Sequence, residues 1–267
     1  MNTSTSDQEY YKHGYDNYVA KTHEWRTAKN CSAYMLSVIK PTDKILDVGC
    51  GPGTITCDLG TYVPQGSVIG VEPTKEIIEE ASSKSAENGI KNVKFEVASV
   101  YKLPYKDDTF DIVHSHQVII HLKDRVDAIK EMKRVTKPNG YVCCREGDME
   151  SVIVYPTNYD KIREYFTSAG LSGYTSTTCG RRLRELALDA GFNSGNINST
   201  ASNWCISNDD TRKWFTNMYI ERLERSKQWI GKDDTIRSEI VKSMKDWSSD
   251  EKGWLTMIHG EIVCQKQ

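Results

Sequence analysis

The sequence predicts an α/β fold, a mostly parallel sheet with helices on both faces, and three observations carry that reading. Short apolar runs alternate with amphipathic stretches at the spacing of right-handed strand–helix–strand units. One such run, Ile45-Leu46 with Val48, breaks directly into the alternating glycines Gly49, Gly51 and Gly53. A second run, residues 67–72, ends in an acid, Glu72, about twenty residues beyond those glycines.

A chain of 267 residues is long enough for one large α/β domain with additions. With a formal charge of -2 it has no global basic field to recruit nucleic acid or an acidic membrane. The polar start, Met1-Asn2-Thr3-Ser4-Thr5-Ser6-Asp7, argues against a cleaved signal peptide. No run approaches the ~18 apolar residues of a membrane helix. The eight cysteines are scattered with no C-x-x-C, which suggests neither a metal site nor a disulfide framework and suits a cytosolic location.

Taken in order, residues 1–24 are polar but rich in tyrosine (Tyr10, Tyr11, Tyr15, Tyr18) and read as a helix over a site or a partly disordered arm. From Glu24 to Ile39, Trp25, Ala28, Cys31, Met35, Leu36 and Ile39 recur at helical spacing, so one continuous helix with a buried face is expected before Pro41. The first strand then enters the glycine turn. Gly49 and Gly51 lack a Cβ, which lets a ligand lie against bare backbone. Pro52 suits a first helical position, and a helix through Ile55, Leu59 and Tyr62 runs to Pro64. A dinucleotide fingerprint would need glycine at position 54, where Thr54 stands.

The second strand is 67–72. Its terminal Glu72 is placed either to accept the two hydroxyls of a ribose or to cap the helix that follows. A helix over 74–88 stops at Asn88-Gly89, and strands are expected at 93–98 and 110–117. A helix over 123–136, a Lys137-Pro138-Asn139-Gly140 turn and a fifth strand, Tyr141 to Glu146, follow. Beyond 150, helices are expected from Asn158 to Ala169 and from Gly180 to Phe192, then a strand from Ile197 to Ile206 and a last strand from Met257 to Cys264. The intervening 207–254 is helical by pattern, with Trp214, Met218, Ile220 and Leu223, then Ile236, Ile240, Met244 and Trp247. It reads either as a cover that shields a substrate or as a buttress around a private core.

The D-x-G-x-G-x-G stretch from Asp47 resembles motif I of class I S-adenosylmethionine-dependent methyltransferases. Glu72, the L-P-Y-K-D-D-T-F-D-I-V stretch at 103–113 and the K-P-N-G turn extend the resemblance over about residues 24–146. It looks most like the ubiquinone/menaquinone-biosynthesis-type branch (methyltransferase type 11), whose small-molecule substrates vary. The resemblance implies a Rossmann-like, seven-stranded, mostly parallel sheet with strand seven antiparallel. The chain departs from the family in a helical insertion between strands six and seven. It divides into a helical cover at 1–40, a core at 41–206 and 255–267, and the insertion at 207–254.

The same resemblance implies S-adenosyl-L-methionine as cofactor. Gly49 and Gly51 are expected beside its methionyl part, with Asp47 ordering the turn and Glu72 on the ribose. Ser99 and Val100 are expected at the adenine, where the family often has an aspartate. Gln117 is expected to border the cofactor. Arg26 is either the partner of the cofactor carboxylate or a surface charge. If a proton must be removed, His116 and His121 are the candidates, since imidazole titrates near neutral pH; the alternative for each is a positioned hydrogen-bonding group.

Glu146 and Asp148 lie where a polar substrate could be oriented. Tyr11, Tyr15 and Tyr18 either close over a sulfonium or simply pack. Arg181, Arg182 and Arg184 read as an anion-attracting patch or, more simply, a solvated face. The expected activity is methyl transfer to a small-molecule acceptor by in-line displacement, with no nucleic-acid or membrane partner and an open oligomeric state. Alternatives are transfer of the 3-amino-3-carboxypropyl arm on the same fold, or a non-catalytic S-adenosylmethionine-binding regulator.

Overall fold

The computed structural model describes residues 25–169, 174–225 and 234–267. The tyrosines at 10, 11, 15 and 18, and most of the expected cover at 1–40, lie outside the described residues.

The strands are β1 (Lys44–Val48), β2 (Ser67–Glu72), β3 (Val93–Val97), β4 (Phe110–His116), β5 (Thr136–Gly147), β6 (Ile153–Tyr155), β7 (Ile197–Ile206) and β8 (Trp254–Gln265). They form one sheet in the order β3-β2-β1-β4-β5-β8, with β7 on the far edge of β8. The pairings from β3 through β5 are parallel, and β8 is antiparallel to both β5 and β7. β1 and β4 are buried on both faces, as central parallel strands are; β1 is apolar from Ile45 to Val48 apart from Asp47, whereas β4 carries the polar His114, Ser115 and His116 into that burial. Helices α2 (Thr54–Tyr62), α3 (Lys75–Glu87), α4 (Arg125–Val135) and α6 (Cys179–Asp189) cover the sheet. Gly191, with φ of 84°, closes the end of α6.

Four features depart from the sequence expectation. The segment before β1 is not one helix but a short α1 (Ala28–Cys31) followed by a 3₁₀ stretch, Ala33–Val38. Thr27 and Asn30 cap the start of α1 reciprocally, and Ser32 breaks it with its hydroxyl 3.1 Å from His114 Nε2. The helical spacing still buries Ala28, Cys31 and Met35. The Lys137–Gly140 turn is instead an irregularity inside β5: the register slips between Phe110 and Ile112, and Asn139 takes φ of 64° while donating to Lys266 O. The helix at 158–169 reduces to α5 (Asp160–Glu164) running into a π turn, Tyr165–Ala169. Finally, β6 adds an eighth strand by pairing with the first residues of β8.

The interval between β7 and β8 holds two helices, α7 (Asp209–Arg225) and α8 (Asp234–Ser249). Together with α5, β6 and the start of β8 they enclose an apolar cluster of their own around Phe215, Leu223, Ile240, Met244 and Trp247. Two other clusters fill the two faces of the main sheet, one under α4 and α6 and one under α1 and α2. No helix among the described residues is long and apolar enough to cross a membrane.

Trp247 is fully buried, and its indole N–H donates to Tyr155 O at 3.1 Å. Truncating such a side chain removes its transfer free energy and leaves a cavity. Trp247→Ala is therefore expected to cost about 3–5 kcal/mol. Urea denaturation checks this, as a lowered midpoint with secondary structure retained in the absence of denaturant.

Candidate functional site at the glycine turn

The turn after β1 is built from backbone. Gly49 and Cys50 N–H both donate to Val71 O, at 2.8 and 3.0 Å, which ties the turn to β2. Gly49, Gly51 and Gly53 have φ of 67°, 51° and 81°, a region L side chains avoid. A Cβ at Gly49 would stand 2.4 Å from Val118 Cγ2, and one at Gly53 would stand 2.6 Å from the Phe95 ring. Gly51 differs, because among the described residues nothing lies within 4 Å of the place its Cβ would take. The middle of the turn is thus bare backbone facing open space.

Beneath it, Asp47 accepts from Thr56 Oγ1 at 2.6 Å and from His114 Nδ1 at 2.7 Å. Thr56 lies in the first turns of α2 and His114 on β4, so one carboxylate fastens the turn from both sides. Glu72 ends β2 beside the turn, only 8 % exposed. Burial pushes its carboxyl up to about 7, against the opposing pull of the Thr74 and Gly51 backbone amides. A buried acid next to open glycine backbone suits a nucleoside, whose sugar hydroxyls can donate to the acid.

Of the other sequence-predicted candidates, Ser99 and Val100 follow the carboxyl end of β3 and Gln117 that of β4. Gln117 has φ of 57° and donates its N–H to Arg145 O at 3.0 Å. A strained non-glycine residue at a strand end is a feature of functional sites. Ser99 Oγ accepts from Tyr101 N–H at 3.2 Å, and the Val100 side chain belongs to the core, leaving its backbone to the site. The Arg26 guanidinium stands 6.0 Å from the Trp204 ring. His116, at the end of β4, is 7 % exposed. Burial holds its imidazole well below the ordinary range, and the charges of Arg26 and Arg145 add to this. His121 sits further along, with Nδ1 3.1 Å from Thr175 Oγ1. Burial, then Arg222, Arg26 and Arg125, pull it down to about 3.

Other charged candidates have structural partners. Glu146 is fully buried and accepts the backbone N–H groups of Val118, Ile119 and Ile120 at 2.9–3.2 Å. Asp148 is engaged by Arg181 Nε and Nη2 at 2.5 and 2.7 Å. Arg182 pairs with Glu185, and Arg184 donates to Ile197 O and Ser194 Oγ, which leaves a partnered helix face. Among the described residues no group of His, Cys, Asp and Glu is arranged to hold a metal ion.

Sequence reasoning passed over His114, Ser32, His259, Arg145 and Trp204. His114 had a readable signal, since it precedes His116 by two on one strand and shares its face. The others come from distant segments and meet through strand register alone.

Residues 39–213 match the model of a methyltransferase domain family. An uncharacterized methyltransferase of Schizosaccharomyces pombe is 46% identical over 98% of both chains. A probable methyltransferase of Aspergillus luteorubrus, ltbC, is 29% identical over 98% of this chain and 99% of its own. Among solved structures, the YcgJ protein of Bacillus subtilis superposes with a TM-score of 0.58 at 19% identity, covering 88% of this chain and 97% of that one. A family match across most of the chain, on this sheet and with this glycine turn, makes the chain a member of the class I S-adenosylmethionine-dependent methyltransferases.

Proposed function

We propose that the protein transfers a methyl group to a small-molecule acceptor, and that the turn at residues 47–53 with Glu72 holds the methyl donor. The observation that carries this reading is the open backbone at Gly51 beside the buried Glu72 carboxyl. S-adenosyl-L-methionine, when bound, supplies a methyl group already activated by its positive sulfur.

The chain's own residues then have to bind, orient and exclude water. Gly49 and Gly51 would lie along the methionyl part and Glu72 would take the ribose hydroxyls. Ser99 Oγ and the Val100 backbone would meet the adenine edge, and Gln117 would border the site from β4. Arg26 would face the donor's carboxylate. Holding two reactants in line can supply ~7–11 kcal/mol of a barrier, so no strong base is required.

His116 fits a positioning role. Its ring nitrogens have no partner among the described residues, so a lone pair is available to an acceptor's N–H or O–H. Burial and the flanking arginines oppose protonation, so the imidazole would direct the acceptor's proton rather than store it. His121, held by Thr175 and also pulled down by burial and the nearby arginines, would support the same wall. A cytosolic setting belongs to this reading, since all eight cysteines are free thiols.

The direct test incubates the protein with methyl-labelled S-adenosylmethionine and a small-molecule extract, followed by mass spectrometry. A labelled product with one equivalent of S-adenosylhomocysteine is expected. Methylthioadenosine in its place would mean transfer of the aminocarboxypropyl arm, and no turnover would leave a binding protein.

Glu72 gives a second prediction with opposite signs for stability and binding. An acid raised from 4.5 to about 7 on folding holds its proton more tightly in the folded state. Folded stability therefore falls as pH climbs between those values and stays reduced above them. Glu72→Gln is expected to stabilise the ligand-free protein at pH 8 by at most about 3 kcal/mol, and to flatten that part of the stability–pH curve. The same substitution is expected to weaken S-adenosylmethionine binding by about tenfold or more in calorimetric titration, through loss of charge-assisted hydrogen bonds. Unchanged affinity would remove Glu72 from the ribose.

A further inference from the structure

One face of the sheet carries a band of polar side chains, buried on β4, β5 and β8 and opening to solvent at β7, that the glycine turn does not use. Strand register lays it out. His116 on β4 is level with Arg145 on β5, Arg145 with Glu261 on β8, and Glu261 with Thr200 on β7. Two residues along β8, His259 is level with Gly147 on one side and Ser202 on the other. Paired residues and those two apart share a face, so the band is continuous.

The band begins beside the glycine turn, because Ser115 is level with Val48 and His116 is the next residue. Its outer wall is aromatic. The Trp204 ring lies 4.5 Å from His259, Trp25 meets Trp204 at 5.3 Å, and Trp214 of α7 meets Trp25 at 5.2 Å.

Internal hydrogen bonds account for only part of this band. Arg145 Nε donates to Glu261 at 3.2 Å and to Ser202 at 3.1 Å, and Nη2 donates to Ser202. Glu261 also accepts from Thr200 at 2.8 Å and Ser202 at 2.5 Å, so its charge is fully engaged. Arg145 Nη1, both ring nitrogens of His116 and of His259, the indole nitrogens of Trp25 and Trp204, and Tyr34 Oη make no well-formed hydrogen bond among the described residues, the Met257 carbonyl being a marginal neighbour of the His259 ring. His259 is 0 % and Arg145 1 % exposed, so these are groups that water does not reach. Native structures rarely leave so many buried polar atoms in one place unmade, since each forfeits its hydration.

The inventory is one-sided. The indoles and the guanidinium only donate, and each neutral imidazole offers one donor and one acceptor. Donors therefore outnumber acceptors.

We propose that this band is the acceptor pocket of the methyltransferase, and that it takes a planar ring bearing an oxyanion. The anionic oxygen meets the donors of Arg145 and His259, while the ring lies against Trp204 and Trp25. The assignment rests on the methyltransferase reading for calling the occupant an acceptor.

Calorimetric titration of the full chain, loaded with S-adenosylhomocysteine, tests it. The probes are benzoate, 4-nitrophenolate at pH 8, benzyl alcohol and benzylamine. At least one anion is expected to bind about tenfold or more tighter than benzyl alcohol, with benzylamine weakest; the two anions distinguish a carboxylate from a phenolate occupant. His259→Phe, similar in bulk but unable to hydrogen-bond, is expected to weaken that anion by about tenfold, whereas His259→Gln holds it within about threefold. Both variants are expected to bind S-adenosylhomocysteine like the parent, which also reports that they fold.

Equal binding of benzyl alcohol or benzylamine, no binding of either anion, or an unaltered His259→Phe overturns the proposal. If S-adenosylhomocysteine fails to bind the parent, the methyltransferase reading falls and takes the pocket with it. If it binds while the probes show no preference for anions, only the pocket falls.

Discussion

Asp47 is 2 % exposed at the end of β1, and its two oxygens are committed to Thr56 on α2 and His114 on β4. Ser32, before the 3₁₀ stretch, reaches the other nitrogen of His114. Asp47 thus ties β1 to α2 and β4 directly, and through His114 to the 3₁₀ stretch, beneath a turn whose middle is open backbone. The turn needs that support. Three of its residues take positive φ, and a backbone left open for a ligand cannot be held by side chains packed on it. Losing Asp47 would leave the Thr56 hydroxyl and the His114 ring buried without their acceptor, at ~1–3 kcal/mol for each.

The other buried acids show why Glu72 stands apart. Glu146 is pushed up to about 7 by burial just as Glu72 is, yet it is enclosed by three backbone amides of its own chain and holds the 118–120 turn. Asp148 and Glu261 are each met by an arginine. Glu72 alone among them stands beside open backbone, with the Gly51 and Thr74 amides its main polar surroundings. A carboxyl kept in that state lowers the stability of the folded chain at high pH, as functional groups often do. Similar burial thus produces a structural acid where the chain closes over it and a candidate ligand group where it does not.

What the sequence disclosed follows the range of the forces involved. The strand–turn–helix at 44–62, the placement of Glu72, the strand at 197–206 and the 257–264 part of β8 depend on local period and on glycine chemistry, and they were legible; the start of β8 at 254–256, which pairs with β6, was not. The break at Ser32 was not, because its cause is a histidine 82 residues away. The slip in β5 was also hidden, since a Pro-Asn-Gly stretch looks the same inside an irregular strand as in a turn before one. The donor band was the least legible. His259 sits in a run that reads simply as apolar strand, and only antiparallel pairing with β5 and β7 brings it level with Gly147 and Ser202.

The helices between β7 and β8 looked from sequence to be either a cover or a buttress, and α7 shows why the two need not compete. Phe215, Tyr219 and Leu223 turn into the cluster around Trp247, which anchors the pair of helices against α5, β6, the end of β7 and the start of β8. Trp214, next to Phe215 but on another side of the helix, is 37% exposed and meets Trp25 instead. A helix seated on its own core can hold an aromatic rim in place at little entropic cost, because the side chain it presents is carried by an ordered backbone. The rim meets Trp25, which stands edge-on to Trp204, and Trp204 in turn lies against His259. In this way the private core, which touches none of the glycine turn, fixes one wall of the space beside it.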